Sequence, residues 1–236
     1  MNPHEITKRL EEKIADYTGA PYCVCVDNQS NALSMALTYV GIKGKEITIP
    51  SNTYPSVPCE VILAGGKVKF DKNHPALRDL TQDELFAFLE YFNEIEVDMP
   101  DDDTKILTGE YRLEPTNVWD SALRFTADMF RPRQLQCLSF TGQWKILKTV
   151  KGGAILTDDE RAYNWFKRFR FSGRREKDYH IDHLDFIGKN YYMPHVLASI
   201  GLQMLTGFYN IDRTKKPMQD ISLPYPDLSK FDVYKT

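Results

Sequence analysis

The stretch 138–158, LSFTGQWKILKTVKGGAILTD, is the part of this chain from which the rest is best interpreted. Apolar residues at its two ends predict short strands over 136–140 and 153–157. Lys145 lies in the polar loop between them, and Gly152 and Gly153 precede the second strand. A lysine at the end of a buried strand is poor for stability, because desolvation disfavours its charge. It suits Schiff-base chemistry, in which a lysine of lowered pKa attacks a carbonyl cofactor.

Ser139-Phe140, Lys145 and the glycine pair resemble the SF-x-x-x-K…GG signature of the DegT/DnrJ/EryC1/StrS family. Members of that family are sugar aminotransferases that depend on pyridoxal phosphate (PLP). One residue is inserted here between Phe140 and the lysine. Lys148 is an alternative cofactor lysine, and the spacing to the glycine pair favours Lys145. A solvated loop lysine is the remaining interpretation.

A second feature is the polar turn between a predicted strand over 22–26 and a predicted helix over 31–40. Such a turn points free N–H groups and the positive end of the helix dipole at an anion. An N-cap at Asn28 or Ser30 explains the same residue types. The turn resembles the family's phosphate-binding SGTxAL, with Gln29 in place of its glycine. The T-x-A-L positions are held by Ser30, Asn31, Ala32 and Leu33.

Two further turns resemble the family's ring-binding segments. Residues 51–54, which follow a predicted strand over 46–50, resemble the S-x-T-aromatic turn, whose ring stacks on the cofactor pyridine; here the ring is Tyr54. Asp120, at the end of a predicted strand, matches the D-x-A aspartate that meets the pyridine nitrogen. A carboxylate there keeps the nitrogen protonated, so that the ring accepts electrons from the substrate. A helix N-cap is the alternative role for Asp120, and Leu123 replaces a residue that is usually His or Gln in the family.

Residues 188–193 resemble the family's G-x-N-Y-R-M, with Tyr192 in place of the arginine. The resemblance implies that Asn190 reaches the cofactor phosphate of a partner subunit, and hence a homodimer with shared active sites. The basic and aromatic segment 165–177 is interpreted as the end of a helix. A nucleic-acid patch and a contact with nucleotide-sugar phosphates are the alternatives.

The resemblance implies an α/β fold: the large domain of a type I PLP-dependent transferase, with a mostly parallel central sheet flanked by helices. We expect this domain over 1–207 and a Pro-rich tail over 208–236, with the family's C-terminal small domain missing. A helix is predicted over 80–92 and an acidic loop over 98–103, and a crossover helix is expected to be missing between 107 and 117. Five candidate residues fall just after the carboxyl ends of predicted strands, where ligands bind in open α/β sheets; they are Ser30, Tyr54, Asp120, Ser139 and Lys145.

The chain has 236 residues, a net charge of −3 and four cysteines without zinc-type spacing. These features give no general attraction to nucleic acid or membrane and no zinc site. The acidic run 98–103 has the shape of a metal site, but a solvated acidic loop is the favoured interpretation, so that no metal is expected. No signal peptide or long apolar run is present, so we expect a cytoplasmic protein. The resemblance implies transfer of an amino group from an amino acid, glutamate being expected, to a nucleotide-linked keto-sugar. A non-catalytic PLP-fold binding or assembly protein is the alternative. The expected catalytic residues are Lys145 and Asp120, and the expected cofactor ligands are Ser30, Asn31, Tyr54, Asp120, Ser139, Lys145 and Asn190.

Overall fold

The computed structural model describes residues 4–84, 104–142, 147–208 and 224–235. The first part of the chain alternates helices and strands, which are α1 Glu5–Thr18, β1 Tyr22–Val26, α2 Gln29–Val40, β2 Glu46–Pro50, α3 Ser56–Leu63 and β3 Lys67–Asp71. The bounds of β1, α2 and β2 agree within two residues with the predicted ones.

The remainder contains shorter strands and two more α-helices. The strands are β4 Leu77–Asp79, β5 Lys105–Leu107, β6 Tyr111–Arg112, β7 Val118–Ser121, β8 Leu135–Ser139 and β9 Gly153–Thr157. The helices are α4 Glu160–Phe169 and α5 His195–Gln203, followed by a π-helical turn, Met204–Phe208. Short 3₁₀ turns lie at Tyr179–Ile181, Leu228–Lys230 and Asp232–Tyr234. The predicted helix over 80–92 lies mostly, and the acidic loop over 98–103 wholly, outside the described residues.

The central sheet is mixed and has the strand order β1-β9-β8-β7-β6. β7 and β8 are parallel, whereas β9 and β6 run antiparallel to their neighbours. A bridge between Thr48 and Glu114 attaches β2, and through it the parallel strand β3, beyond β6. Two backbone hydrogen bonds of 2.9 and 3.2 Å join Thr48 and Glu114.

Helices cover the sheet on two sides. One apolar cluster contains Leu33 of α2, Val57 of α3 and Phe166 of α4, all fully buried. The other contains Ile14 of α1 and Ala198 of α5. Burial of these side chains is the main stabilising contribution, at about 25 cal/mol per Å² of apolar surface.

No α-helix lies between Leu107 and Val118, as the sequence predicts. β6 instead turns directly into β7 as an antiparallel hairpin, with Tyr111 opposite Asp120. A two-residue strand thus takes the sheet position between β7 and β2. This hairpin brings its own side chains to the edge at which Asp120 lies.

The four cysteines are free thiols, and all but Cys59 are buried. The described residues contain no cluster of metal-ligating side chains. Among the described helices, none combines the length and the apolar composition needed to cross a bilayer.

Candidate cofactor-binding site

One edge of the central sheet collects the turns that the sequence singles out. Val26 and Ser139, the last residues of β1 and β8, both pair with Gly153 at the start of β9. Ser121, the last residue of β7, pairs with Leu138. The parallel and antiparallel registers together therefore place the turns after β1, β2, β7 and β8 at the same edge, where open α/β sheets bind ligands.

Asp120 is a buried carboxylate at this edge, with 5 % of its surface exposed. Its Oδ1 accepts hydrogen bonds from Gln29 Nε2 at 3.0 Å and from the backbone N–H of Ala122 at 2.9 Å. Its Oδ2 accepts one from the Tyr111 hydroxyl at 3.1 Å. Residues 122–134 contain no α-helix, so Asp120 is not a helix N-cap. A buried carboxylate needs such donors, because an unpaired buried charge is costly.

The turn after β1 is capped by Asn28, whose side chain accepts the N–H of Asn31 at 2.8 Å. The hydroxyl of Ser30 donates a hydrogen bond to Ser56 Oγ at 2.8 Å. Asn31 Nδ2 donates to Asp27 Oδ1 at 2.7 Å. The cap takes the N–H of Asn31, so the turn offers the other N–H groups of the first turn of α2, together with one carboxylate at Asp27.

Tyr54 follows β2 at the same edge and is 56 % exposed. Its ring meets that of Tyr225 edge-on, with 6.3 Å between centroids. Asn52 Nδ2 donates to the backbone O of Tyr225 at 2.8 Å, and Leu228 N donates to Ser51 O at 2.9 Å. Residues 224–235, part of the predicted tail, therefore lie against the turn that carries Tyr54.

Tyr225 shares its environment with Asp120. Burial, the negative charge of Asp120 and the phenol of Tyr54 raise the pKa of Tyr225 to about 12. Burial, followed by the charge of Asp120, also raises the pKa of Tyr111 well above its ordinary value. Both phenols therefore remain protonated, and hence able to donate hydrogen bonds, throughout the physiological pH range.

Close contacts at this edge explain why glycine occupies positions 152 and 153. A Cβ on Gly153 would lie 2.7 Å from the backbone O of Leu138 and 2.8 Å from the backbone N of Gln29. Gly152 has a φ of +142°, a conformation that other residues rarely adopt. Ser139, beside this pair, accepts the N–H of Thr141 through Oγ at 3.3 Å. The pair thus permits β9 to approach the turn before α2.

The predicted cofactor lysine, Lys145, lies outside the described residues. Lys148 is described and is exposed. The choice between the two lysines therefore still depends on the sequence spacing.

Asn190 lies near the first turn. It bridges to Phe171, while the adjoining Tyr191 accepts the backbone N–H of Asp27 at 3.0 Å. The hydroxyl of Tyr192 donates to Glu176 at 3.2 Å, and its ring lies under the guanidinium of Arg170. The side chain of Asn190 is exposed.

The basic segment 165–177 is largely neutralised within the fold. Arg170 is fully buried and pairs with Glu11 and Glu176, and Lys167 also pairs with Glu176. Arg168 pairs with Asp185. These contacts support its interpretation as the basic end of a helix, since the paired cations are already neutralised.

The structure thus brings Ser30, Asn31, Tyr54, Asp120 and Ser139 to one edge. Three further residues at this edge were not predicted from the sequence, namely Gln29, Tyr111 and Tyr225. Gln29 was visible only as a departure from a glycine. Tyr111 and Tyr225 lie in segments with no distinctive local pattern, so that sequence spacing alone could not have found them.

Residues 3–83 and 132–221 match the model of the DegT/DnrJ/EryC1/StrS aminotransferase family. The UDP-4-amino-4,6-dideoxy-N-acetyl-beta-L-altrosamine transaminase of Campylobacter jejuni is 22% identical over 208 residues, and the GDP-perosamine synthase of Caulobacter vibrioides is 26% identical over 209. Each alignment covers 83% of this chain and 55% of the relative. The chain therefore spans about half the length of these curated relatives.

Solved structures confirm the predicted fold. A DegT DnrJ EryC1 StrS aminotransferase from Brucella abortus has a TM-score of 0.60 at 21% identity, covering 85% of this chain and 58% of that one. A 3-amino-5-hydroxybenzoic acid synthase has a TM-score of 0.59 at 17% identity, covering 85% and 55%. Residues 84–131, which include Asp120, lie outside the ranges of the family match. Those ranges nevertheless make up most of the chain, which therefore belongs to the DegT/DnrJ/EryC1/StrS aminotransferase family.

Proposed function

We propose that this chain carries the cofactor site of a PLP-dependent aminotransferase acting on a nucleotide-linked keto-sugar, with glutamate as amino donor. The observation that carries the proposal is the meeting of four separately recognised turns at one sheet edge around the buried Asp120. The names of the relatives, a UDP-sugar transaminase and a GDP-perosamine synthase, support a nucleotide-sugar substrate.

The donor groups at this edge suit a phosphorylated pyridine. The first turn of α2 presents N–H groups, which attract a phosphate. Asp120 is a buried carboxylate held by three donors, and it suits a protonated ring nitrogen. Asp27 opposes the phosphate by its charge, and the amides of Asn28 and Asn31 that donate to it partly offset this effect. On balance the residues fit PLP.

Each residue would then act at a particular part of the cofactor. Ser30, Asn31 and Ser139 would hold the phosphate, Tyr54 would cover the ring and Asp120 would hold the proton on the ring nitrogen. Lys145 would carry the covalent link and move the proton between the substrate Cα and the cofactor C4′. Bound PLP supplies an electron sink for the electrons of the broken Cα–H bond.

The proposal includes a homodimer in which Asn190 reaches the partner's site. The loop that leads to Asn190 exposes three apolar side chains, Ile181, Leu184 and Ile187, of which Ile187 is 93 % exposed. These side chains are available for contact with a partner, and a closed dimer is the commonest assembly. Sedimentation of the cofactor-bound protein checks this step, and a monomer that binds PLP with full affinity would contradict it.

Borohydride reduction followed by peptide mapping tests the cofactor assignment. The proposal expects a yellow protein in which reduction fixes the cofactor on Lys145. A label on Lys148 would move the site, and absence of a label would overturn the function. Glutamate should then convert the bound cofactor to its amino form in a single turnover.

A second candidate is a PLP-fold binding protein without turnover. It is favoured by the placement of Gln29, whose amide already occupies Oδ1 of Asp120. The two candidates differ in one measurement: a protein that binds PLP on Lys145 but is not converted by glutamate would support the second.

A further inference from the structure

Tyr111 contacts Asp120 from a strand that the family match does not include. Its hydroxyl lies 3.1 Å from Asp120 Oδ2 and 2.7 Å from Thr53 Oγ1. Thr53 is fully buried, and Tyr111 is nearly so. Three buried polar groups from β6, from the turn after β2 and from the end of β7 therefore form one chain of hydrogen bonds.

The directions of these bonds follow from the donors available. An ionised carboxylate only accepts, so Tyr111 must donate its single hydrogen to Asp120. The Thr53 hydroxyl must then donate to Tyr111. Each group therefore has a defined role, and the Tyr111 hydroxyl is oriented toward the carboxylate.

The residue before Tyr111 fixes the hairpin in this position. Glu110 Oε2 accepts hydrogen bonds from Ser121 Oγ at 2.7 Å and from Gln136 Nε2 at 2.9 Å. Arg131 also pairs with Glu110 at 2.8 Å. Glu110 and Tyr111 thus hold two successive residues of β7, Ser121 and Asp120.

We propose that Tyr111 is a positioning residue, which orients the Asp120 carboxylate and keeps it charged so that it can hold the protonated ring nitrogen of PLP. The inference rests on the proposed function. A charge-assisted hydrogen bond to a buried carboxylate favours its charged form. Loss of the phenol hydroxyl would leave two of the three donors, so that burial would shift the carboxyl group toward its neutral form, which gives no charge attraction to a pyridinium.

The test compares two cofactors on the full chain. Tyr111→Phe should weaken the binding of PLP about tenfold, the value of roughly one hydrogen bond to a charged group. It should leave the affinity for the carbocyclic PLP analogue, whose ring nitrogen is replaced by carbon, within about twofold of wild type, because the analogue offers Asp120 nothing to hold. A purely structural role would weaken both ligands equally, and that result would overturn the proposal.

A matched control is available on the surface. Tyr39 also donates to an aspartate, Asp159, at 3.1 Å, but away from the site. Tyr39→Phe should change neither affinity.

A double-mutant cycle in the apo-protein separates this inference from the proposed function. Tyr111→Phe and Asp120→Ala should lower the melting temperature less together than the sum of their separate effects, because each of them alone removes the contact between the phenol and the carboxylate. Additive effects would overturn the inference. Coupling in the apo-protein with no PLP binding by wild type would instead refute the proposed function and the part of the inference that concerns PLP.

Discussion

Nε2 of Gln29 lies 3.0 Å from Oδ1 of Asp120 and joins the first turn of α2 to the end of β7 across 91 positions of sequence. Both side chains are nearly inaccessible to solvent. The neutral amide is thus one of the donors that compensate the charge of Asp120. The geometry at position 29 therefore favours a donor over a second acceptor.

Gln29→Glu is expected to make stability depend on pH. Two carboxylates at this distance cannot both be ionised without strong repulsion, so the folded variant retains a proton that the unfolded chain releases. Since the folded state then binds more protons, the free energy of unfolding falls as pH rises above about 4–5. We expect a loss of about 3 kcal/mol near pH 8 and a smaller one near pH 5.

Chemical denaturation at the two pH values measures this effect. Gln29→Met keeps the length of the side chain and adds no charge. Its loss in the free energy of unfolding should be similar at both pH values. Gln203→Glu, on the exposed end of α5, is the surface control and should change little. An equal loss for Gln29→Glu at both values would mean that the Gln29–Asp120 contact does not exist in solution.

The contrast between Gln29 and Asp120 shows what the sequence could predict. The end of β7, the capped turn before α2 and the glycine pair follow from local patterns, so that Asp120 and Asn28 could be placed from the sequence. The bond between Gln29 and Asp120 depends on the packing of distant strands, which no local pattern encodes. Tyr111 is harder still, because a two-residue strand has no periodicity and owes its place to the hairpin register.

Lys145→Ala is expected to abolish the visible absorbance of the bound cofactor, because in the proposed site its ε-amino group makes the covalent link. Lys148→Ala, three residues away, is the matched control and should keep the absorbance. Spectra of both variants after incubation with PLP decide between the two lysines. The reverse result would assign the link to Lys148.

Arg170→Met is expected to destabilise the fold by about 3–5 kcal/mol near pH 7, since it leaves Glu11 and Glu176 without their buried cation. Arg170 is fully buried, and its guanidinium lies over the ring of Tyr192. Arg9→Met, at an exposed pair with Glu5, is the control and should cost at most about 1 kcal/mol. Urea denaturation of the three proteins measures the difference.

The same variant has a predictable pH dependence. Burial disfavours the charged form of Glu176, but the charges of Arg170 and Lys167 outweigh burial and hold its pKa below the ordinary value. A lowered folded-state pKa stabilises the fold above the unfolded-state pKa, and this contribution disappears as pH falls through the folded value. The difference in the free energy of unfolding between wild type and Arg170→Met should therefore become smaller below about pH 4. A difference in unfolding free energy that did not change with pH would exclude an electrostatic origin of the destabilisation.

Lys72→Met is expected to loosen residues 224–235. Lys72 Nζ lies 2.7 Å from Oδ2 of Asp227 and forms an ion pair with this buried carboxylate. Limited trypsin digestion should cleave the variant faster than wild type after Lys230. Lys69→Met, at an exposed pair with Glu46, removes a similar charge without touching the tail and should digest at the wild-type rate. Equal rates for all three proteins would show that Asp227 does not hold the tail.

Asp120→Asn separates a structural role of Asp120 from its proposed catalytic role. Asparagine keeps the size of the side chain and can still accept the N–H of Ala122 through its oxygen. Its amide would face Tyr111, whose hydroxyl can then accept and donate in turn to Thr53. The fold should therefore persist, with a melting temperature within about 5 °C of wild type.

The chemistry should respond much more strongly. Asparagine supplies no charge to hold a proton on the ring nitrogen, so the cofactor loses its capacity to accept the substrate electrons. We expect conversion of the bound cofactor by glutamate to slow by more than about 100-fold, roughly 3 kcal/mol in the barrier. Single-turnover absorbance measurements, with melting curves of the same samples, give both quantities. Wild-type rates in Asp120→Asn would return Asp120 to a structural role, because only the charge, and not the shape, differs between the two side chains.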